Sequence, residues 1–99
     1  MNYKISHIPK GKIRPGTKII PTSITIHSTG NPNSTAQNER GWLTNLANTR
    51  IASWHICVDD KEAIEAIPLD EVAYHAGTQT GNYSSISIEI CESGDRTKT

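Results

Sequence analysis

Three segments of this 99-residue chain alternate between apolar and polar residues, and this alternation restricts the possible folds more than any other feature. They are residues 23–28, 53–58 and 85–91. Because successive side chains of a β-strand point to opposite faces, each segment predicts a strand with one apolar and one polar face. A short apolar run at residues 63–67 follows a polar turn, so residues 53–67 are predicted to form a hairpin.

One helix is predicted between the first two of these strands. Ser34 followed by Gln37 fits a capping box. The apolar side chains that then recur at helical spacing are Trp42, Leu43, Leu46 and Ala47. These signals place a helix at about residues 34–48. Strands and a helix in mixed order predict the α/β class, whereas periodicity alone does not determine whether the strands run parallel.

Residues 1–22 form a separate region before the first strand. Prolines and glycines interrupt it at Pro9, Gly11, Pro15, Gly16 and Pro21. Because such residues break regular structure, the region is predicted to be an extended, irregular arm. It is expected to contact the rest of the chain through Ile5, Ile8, Ile13, Ile19 and Ile20. Residues 23–99 are assigned to a single domain, and its polar tail, residues 92–99, is predicted to be disordered.

Charge and hydropathy argue against several classes of protein. Ten Lys and Arg residues balance ten Asp and Glu residues, and no basic stripe is present, so no nucleic-acid partner is expected. No apolar run reaches the length of a membrane span. The first residues contain no apolar stretch typical of a signal peptide, so synthesis in the cytoplasm without one is expected. Cys57 and Cys91 are interpreted as buried free thiols.

Residues that can bind a metal or exchange a proton lie on the polar faces of the three alternating strands. They are His27, His55 and Glu89. Imidazole is the commonest neutral metal ligand near neutral pH, and a carboxylate beside a bound water serves as a general base. Any one of the three, taken singly, is more often a solvated surface residue. Their shared face favours one functional groove. Cys57 and Cys91 lie on the same faces and are alternative metal ligands.

Four segments in this order resemble the zinc-dependent N-acetylmuramoyl-L-alanine amidase domain of phage endolysins and Bacillus autolysins, which is related to peptidoglycan recognition proteins. They are residues 24–29 (Ile-Thr-Ile-His-Ser-Thr), 52–60 (Ala-Ser-Trp-His-Ile-Cys-Val-Asp-Asp), 73–77 (Ala-Tyr-His-Ala-Gly) and 87–91 (Ser-Ile-Glu-Ile-Cys). The resemblance implies a mixed central β-sheet flanked by helices. It further implies that residues 23–99 are the N-terminal part of a single, C-terminally truncated amidase domain.

By this resemblance, the complete domain hydrolyses the amide between N-acetylmuramic acid and L-alanine in peptidoglycan. Glu89 is the implied catalytic residue and His27 an implied zinc ligand, while His75, Trp42 and His55 are implied to bind substrate. The family's other two zinc ligands have no counterpart here, so the 99-residue chain alone is expected to be inactive and to bind zinc weakly or not at all.

Two alternatives to the enzyme remain open. One is a non-catalytic module that binds peptidoglycan, and the other is a structural fragment without affinity for the cell wall. In the first case, as for the enzyme, the expected place of action is the bacterial wall after release from the cell.

The family also places helices after the Glu89 strand that cover part of the sheet's apolar face. Their absence predicts self-association of this chain, or association with the missing segment, through that face.

Overall fold

A computed structural model describes residues 2–92 of the chain. Its elements are β1 (Asn2–Ile5), β2 (Ser23–Ser28), α1 (Ala36–Leu43), β3 (Ile56–Val58), β4 (Glu62–Glu65), α2 (Gln79–Ser84) and β5 (Ser85–Ile90). The strands form one five-stranded sheet in the order β1-β4-β3-β5-β2. The α/β class is therefore confirmed. No helix within residues 2–92 is long and apolar enough to cross a membrane. The tail predicted to be disordered, residues 92–99, lies outside the described residues except for Glu92.

Strand directions are mixed, as the resemblance implied. Strands β3 and β4 form the predicted antiparallel hairpin. The pairs β1–β4, β3–β5 and β2–β5 are parallel. The parallel register places His27 opposite Glu89, and Cys57 lies opposite Glu89 on its other side. Because paired residues share a face, the polar residues of three strands meet on one side of the sheet.

Helix α1 is shorter than the sequence pattern predicted. It begins after Thr35, whose hydroxyl accepts a hydrogen bond from the Asn38 amide at 3.1 Å, so the N-cap is Thr35 and not Ser34. It ends at Leu43, and Leu46 is 99% exposed. The Asn45 side chain accepts a hydrogen bond from the Ala47 amide at 2.9 Å. This local bond competes with continued helix and accounts for the early end.

The first residues are not wholly an irregular arm. Residues 2–5 form β1, which joins β4 as an edge strand of the sheet. Of the isoleucines expected to anchor this region, Ile8 and Ile19 are buried, but Ile5 and Ile20 are 68% and 88% exposed. Exposure of Ile5 follows from its place on an edge strand, on a face that carries no described helix. The short helix α2 was not predicted from the sequence either.

Helix α1 lies on the polar face of the sheet, although alternating strands usually bury their apolar face. Helix α1 packs on the side of Cys57 and Ile64, where both side chains join Ala36 and Cys91 in a buried cluster. The opposite face of β2 and β5, here called the isoleucine face, is formed by Ile24, Ile26, Ile86, Ile88 and Ile90. No described helix covers this face, and Ile24 and Ile26 are each 63% exposed. The polar face can be buried because its serines are small, the Ser85 hydroxyl donates to the Gly81 carbonyl and the His55 ring accepts from the Ser87 amide. Among the described residues of this face, the buried hydroxyl of Ser87 has no hydrogen-bond partner.

The two faces predict different costs of truncation. Ile64 is 1% exposed, so Ile64→Ala should lower the free energy of unfolding by about 2–5 kcal/mol. Ile26→Ala, on the isoleucine face, should cost less than about 1 kcal/mol, because little of the apolar surface of Ile26 is buried. Urea denaturation of both variants and the wild type measures the difference. Equal costs would show that the isoleucine face is covered in solution.

Self-association through the isoleucine face stays a prediction. Sedimentation of the purified chain over a concentration series measures it. The mass should rise with concentration, and Ile26→Thr should reduce the rise because it removes exposed apolar area at the centre of β2. A folded monomer throughout the series would contradict the prediction.

Candidate active site

A groove of about 580 Å³ opens on the polar face of the sheet, beside α1. Glu89 of β5 and Trp42 of α1 line it, as do His75 and Tyr74 of the loop before α2. Trp42 is 42% exposed, so its ring is accessible from the groove. Three residues to which no function was assigned from the sequence also line it, and these are Glu39, Arg50 and Trp54.

His27 does not itself line the groove, but its ring contacts that of His75, which does. Their Nε2 and Nδ1 atoms lie 3.4 Å apart, and their rings are in edge contact. On the other side of His75, Nε2 lies 3.2 Å from the hydroxyl of Ser85. That hydroxyl donates its proton to the Gly81 carbonyl at 2.8 Å, so it accepts from His75. His75 is therefore protonated on Nε2, which leaves the Nδ1 lone pair facing His27.

The loop that carries His75 is held by two side chains. The amides of His75 and Ala76 donate to the Asn82 side-chain oxygen at 2.9 and 2.8 Å. The Ser53 hydroxyl accepts from the Tyr74 amide at 3.0 Å and donates to the Ile13 carbonyl at 2.8 Å. Neither residue was singled out in the sequence, because a side chain that caps a loop leaves no periodic pattern. Burial lowers the pKa of His75, and protonation of the neighbouring His55 or His27 would lower it further.

Glu89 is half-buried and directly opposite His27 in the β2–β5 register. Burial raises the pKa of the Glu89 carboxyl, because a carboxylate loses hydration there. The charge of His27 opposes this rise, Glu39 adds to it, and Arg50 opposes it. A partly desolvated carboxyl with a raised pKa at a groove has the character of a general base or acid.

His55 occupies a different place from the one expected. The resemblance assigned it to substrate binding, but its side chain is fully buried. Its Nδ1 accepts from the Ser87 amide at 2.9 Å, so Nε2 carries the proton and donates to the Glu71 carbonyl at 2.6 Å. Both ring nitrogens are thus engaged by backbone, and the ring is not accessible from the groove. Within the described residues His55 is not among the side chains that line the groove, and its assignment to substrate binding stays a prediction.

The family model for N-acetylmuramoyl-L-alanine amidase matches residues 15–99. The chain belongs to this family. The amidase CwlA of a Bacillus species is 50% identical over 76 residues, which are 74% of this chain and 29% of that protein. The amidase XlyA of Bacillus subtilis is 42% identical over 86 residues, covering 83% of this chain and 28% of that protein. The chain thus spans less than a third of the length of either relative.

Solved structures agree with the fold. The catalytic domain of XlyA superimposes with a TM-score of 0.87 and 38% identity, over 99% of this chain and 67% of that one. The mixed sheet flanked by helices that the resemblance implied is therefore shown. Sequence reasoning recognised the amidase family correctly from the four quoted segments.

Members of the amidase family are generally zinc-dependent. A hydrolytic zinc site takes three protein ligands and keeps a further position open. Within residues 2–92, no group of three or more His, Cys, Asp or Glu side chains could hold a metal ion. His27 and His75 are only a pair, and Cys57 and Cys91 face each other in the core with their sulfur atoms 3.3 Å apart. The described residues therefore do not form a complete zinc site.

The buried His55 predicts a pH dependence of stability. Burial lowers its pKa below the ordinary value of 6.5, so below that pH the unfolded chain binds more protons than the folded chain. The contribution of His55 to stability is complete above pH 6.5 and is lost as the pH falls toward the folded-state pKa. The slope of this loss can reach about 1.4 kcal/mol per pH unit.

Urea denaturation between pH 7.5 and 5.5 measures this loss. The unfolding free energy of the wild type should fall more steeply with decreasing pH than that of His55→Gln. Subtracting the two slopes removes the contributions of His75 and Glu89, which titrate in both proteins. A direct titration of the His55 ring by NMR in the wild type provides a second measurement if the variant does not fold. Identical slopes in the two proteins, or a His55 ring that charges at its ordinary pKa, would contradict the prediction.

Proposed function

We propose that the protein carrying this chain hydrolyses the amide that joins N-acetylmuramic acid to L-alanine in bacterial peptidoglycan. The observation that carries the proposal is the position of Glu89, half-buried at the groove and opposite His27, in a chain of the amidase family. Peptidoglycan is the proposed substrate, and the bacterial cell wall is the proposed place of action.

Glu89 acts as the general base. Its carboxylate accepts a proton from the water that attacks the amide carbonyl, and the same carboxyl then donates the proton to the departing amine of L-alanine. A raised pKa of the Glu89 carboxyl suits both steps, because its proton affinity is then closer to those of the attacking water and the departing amine. His75 and Trp42 are proposed to bind the substrate, since both line the groove beside Glu89.

His27 is proposed as one zinc ligand of the complete site. It lies on β2 opposite Glu89, and its ring contacts His75, which lines the groove. The remaining ligands would come from outside residues 2–92. Metal analysis of the purified 99-residue chain after dialysis tests this, because a single histidine should not retain zinc. Stoichiometric zinc that resists a chelator in the monomer would show that the ligands are assigned wrongly.

The activity of Glu89→Gln tests the catalytic role. In the complete protein, release of peptide from purified cell wall should fall by about 100- to 10,000-fold, because glutamine cannot accept the proton. Glu62→Gln is the matched control, since Glu62 lies on β4 outside the groove and pairs with Lys4. The control should retain the wild-type rate.

Three outcomes distinguish the alternatives. Hydrolysis that survives in Glu89→Gln removes Glu89 from the catalytic role. A wild-type protein that binds cell wall without hydrolysing it is a non-catalytic peptidoglycan-binding module. A wild-type protein that neither binds nor cleaves cell wall contradicts the proposed function altogether.

A further inference from the structure

A second cavity, of about 500 Å³, lies next to the candidate active site and has no assigned role. The turn at residues 8–13, the end of α1 and the segment after it surround this cavity. Its apolar lining includes Ile8, Ile13 and Leu43. All the charged residues that line it are cations, namely Lys10, Lys12 and Arg50. A lining that combines apolar surface with cations suits an anionic ligand that also has small apolar groups.

Arg50 connects this cavity with the groove of Glu89, because it lines both. Its charge is close enough to Glu89 to lower the pKa of that carboxyl. Within residues 2–92, the guanidinium takes part in no ion pair, whereas Arg14 is bound to Glu71 through two nitrogens. Arg50 therefore presents a planar set of donors at the junction, and such a set binds carboxylates in pairs of parallel hydrogen bonds.

The two cavities differ in charge. Glu39 and Glu89 line the groove together with the single cation Arg50, whereas the second cavity is lined by cations alone. A ligand that occupies both cavities is therefore expected to have its neutral part beside Glu89 and its negative part beyond Arg50. A peptide that is cut at its first amide fits this order, because its free carboxyl end lies away from the bond that is cut.

We infer that the cavity lined by Lys10, Lys12 and Arg50 is a subsite for the carboxylate end of the stem peptide, and that Arg50 determines specificity for it. This inference rests on the proposed amidase function. Arg50 binds the carboxylate, the two lysines add positive potential, and the apolar lining contacts small aliphatic side chains of the peptide. The protein consequently prefers peptides whose carboxyl end is free to those in which it is blocked by amidation or cross-linking.

Competition between two synthetic muropeptides tests the inference in the complete protein. The two substrates differ only at the end of the peptide, which is a carboxylate in one and a carboxamide in the other. The measured quantity is the ratio of their kcat/KM values, so a general loss of activity in a variant cancels. The wild type should prefer the carboxylate about tenfold, mainly through KM, and the preference should decline as salt is added.

Arg50→Gln should bring the ratio close to one, and Arg50→Lys should retain part of the preference because the charge remains but the paired donors are lost. Lys12→Gln should lower the ratio by a smaller factor. Lys61→Gln is the matched control, since Lys61 is exposed and lines neither cavity. Its ratio should equal that of the wild type.

A wild-type ratio of one, or a ratio that Arg50→Gln leaves unchanged, would overturn the inference while leaving the amidase proposal intact. Failure of the wild type to cleave either substrate would instead reject the proposed function. In that case tryptophan fluorescence, through the exposed ring of Trp42, measures binding of the same two muropeptides. Equal dissociation constants would then overturn the subsite as well, and tighter binding of the carboxylate form, abolished in Arg50→Gln, would support it.

Discussion

The buried residue His55 joins three parts of the chain, and the geometry of the groove depends on it. Its backbone amide donates to the Ser87 carbonyl at 3.2 Å, and its carbonyl accepts from the Ala66 amide at 2.7 Å. Its ring accepts from the Ser87 amide and donates to the Glu71 carbonyl. One residue thus connects β5 with the end of the hairpin and with the segment that leads to His75. A charged imidazolium could not accept from Ser87, so this arrangement requires the neutral ring.

The candidate active site follows from that connection. Strand β5, held at Ser87, carries Glu89 two residues further on, on the same face. The segment held at Glu71 continues to the loop that carries His75. The side chains of Ser53 and Asn82 accept hydrogen bonds from the backbone of this loop and thereby orient it. The side chains that meet at the groove are therefore supported by hydrogen bonds from buried groups. Such support restricts the movement of His75 and Glu89 relative to each other, as a catalytic or binding arrangement requires.

Charge is distributed unevenly between the groove and the cavity that shares Arg50 with it. Burial disfavours ionisation of Glu89, while His27 and Arg50 favour it, and the balance leaves the pKa of the carboxyl raised. Arg50 lies at the boundary between this acidic groove and the cationic cavity beside it. One side chain therefore influences the proton affinity of Glu89 and also contributes positive charge to the neighbouring cavity.

The sequence by itself determined β2, β5, the hairpin of β3 and β4, and the family, because alternation and short motifs are local properties that do not depend on neighbouring segments. It did not determine β1, whose pairing with β4 joins segments distant in the chain. It also determined that His27 and Glu89 lie on the polar faces of their strands. Only the tertiary structure decided which strands are adjacent, since a period of two residues defines faces but neither partners nor direction. The same limit explains the burial of His55 and the packing of α1 on the polar face: both depend on long-range hydrogen bonds and small side chains. The junction at Arg50 is likewise invisible in the sequence, because it arises where segments distant in the chain meet around one exposed cation.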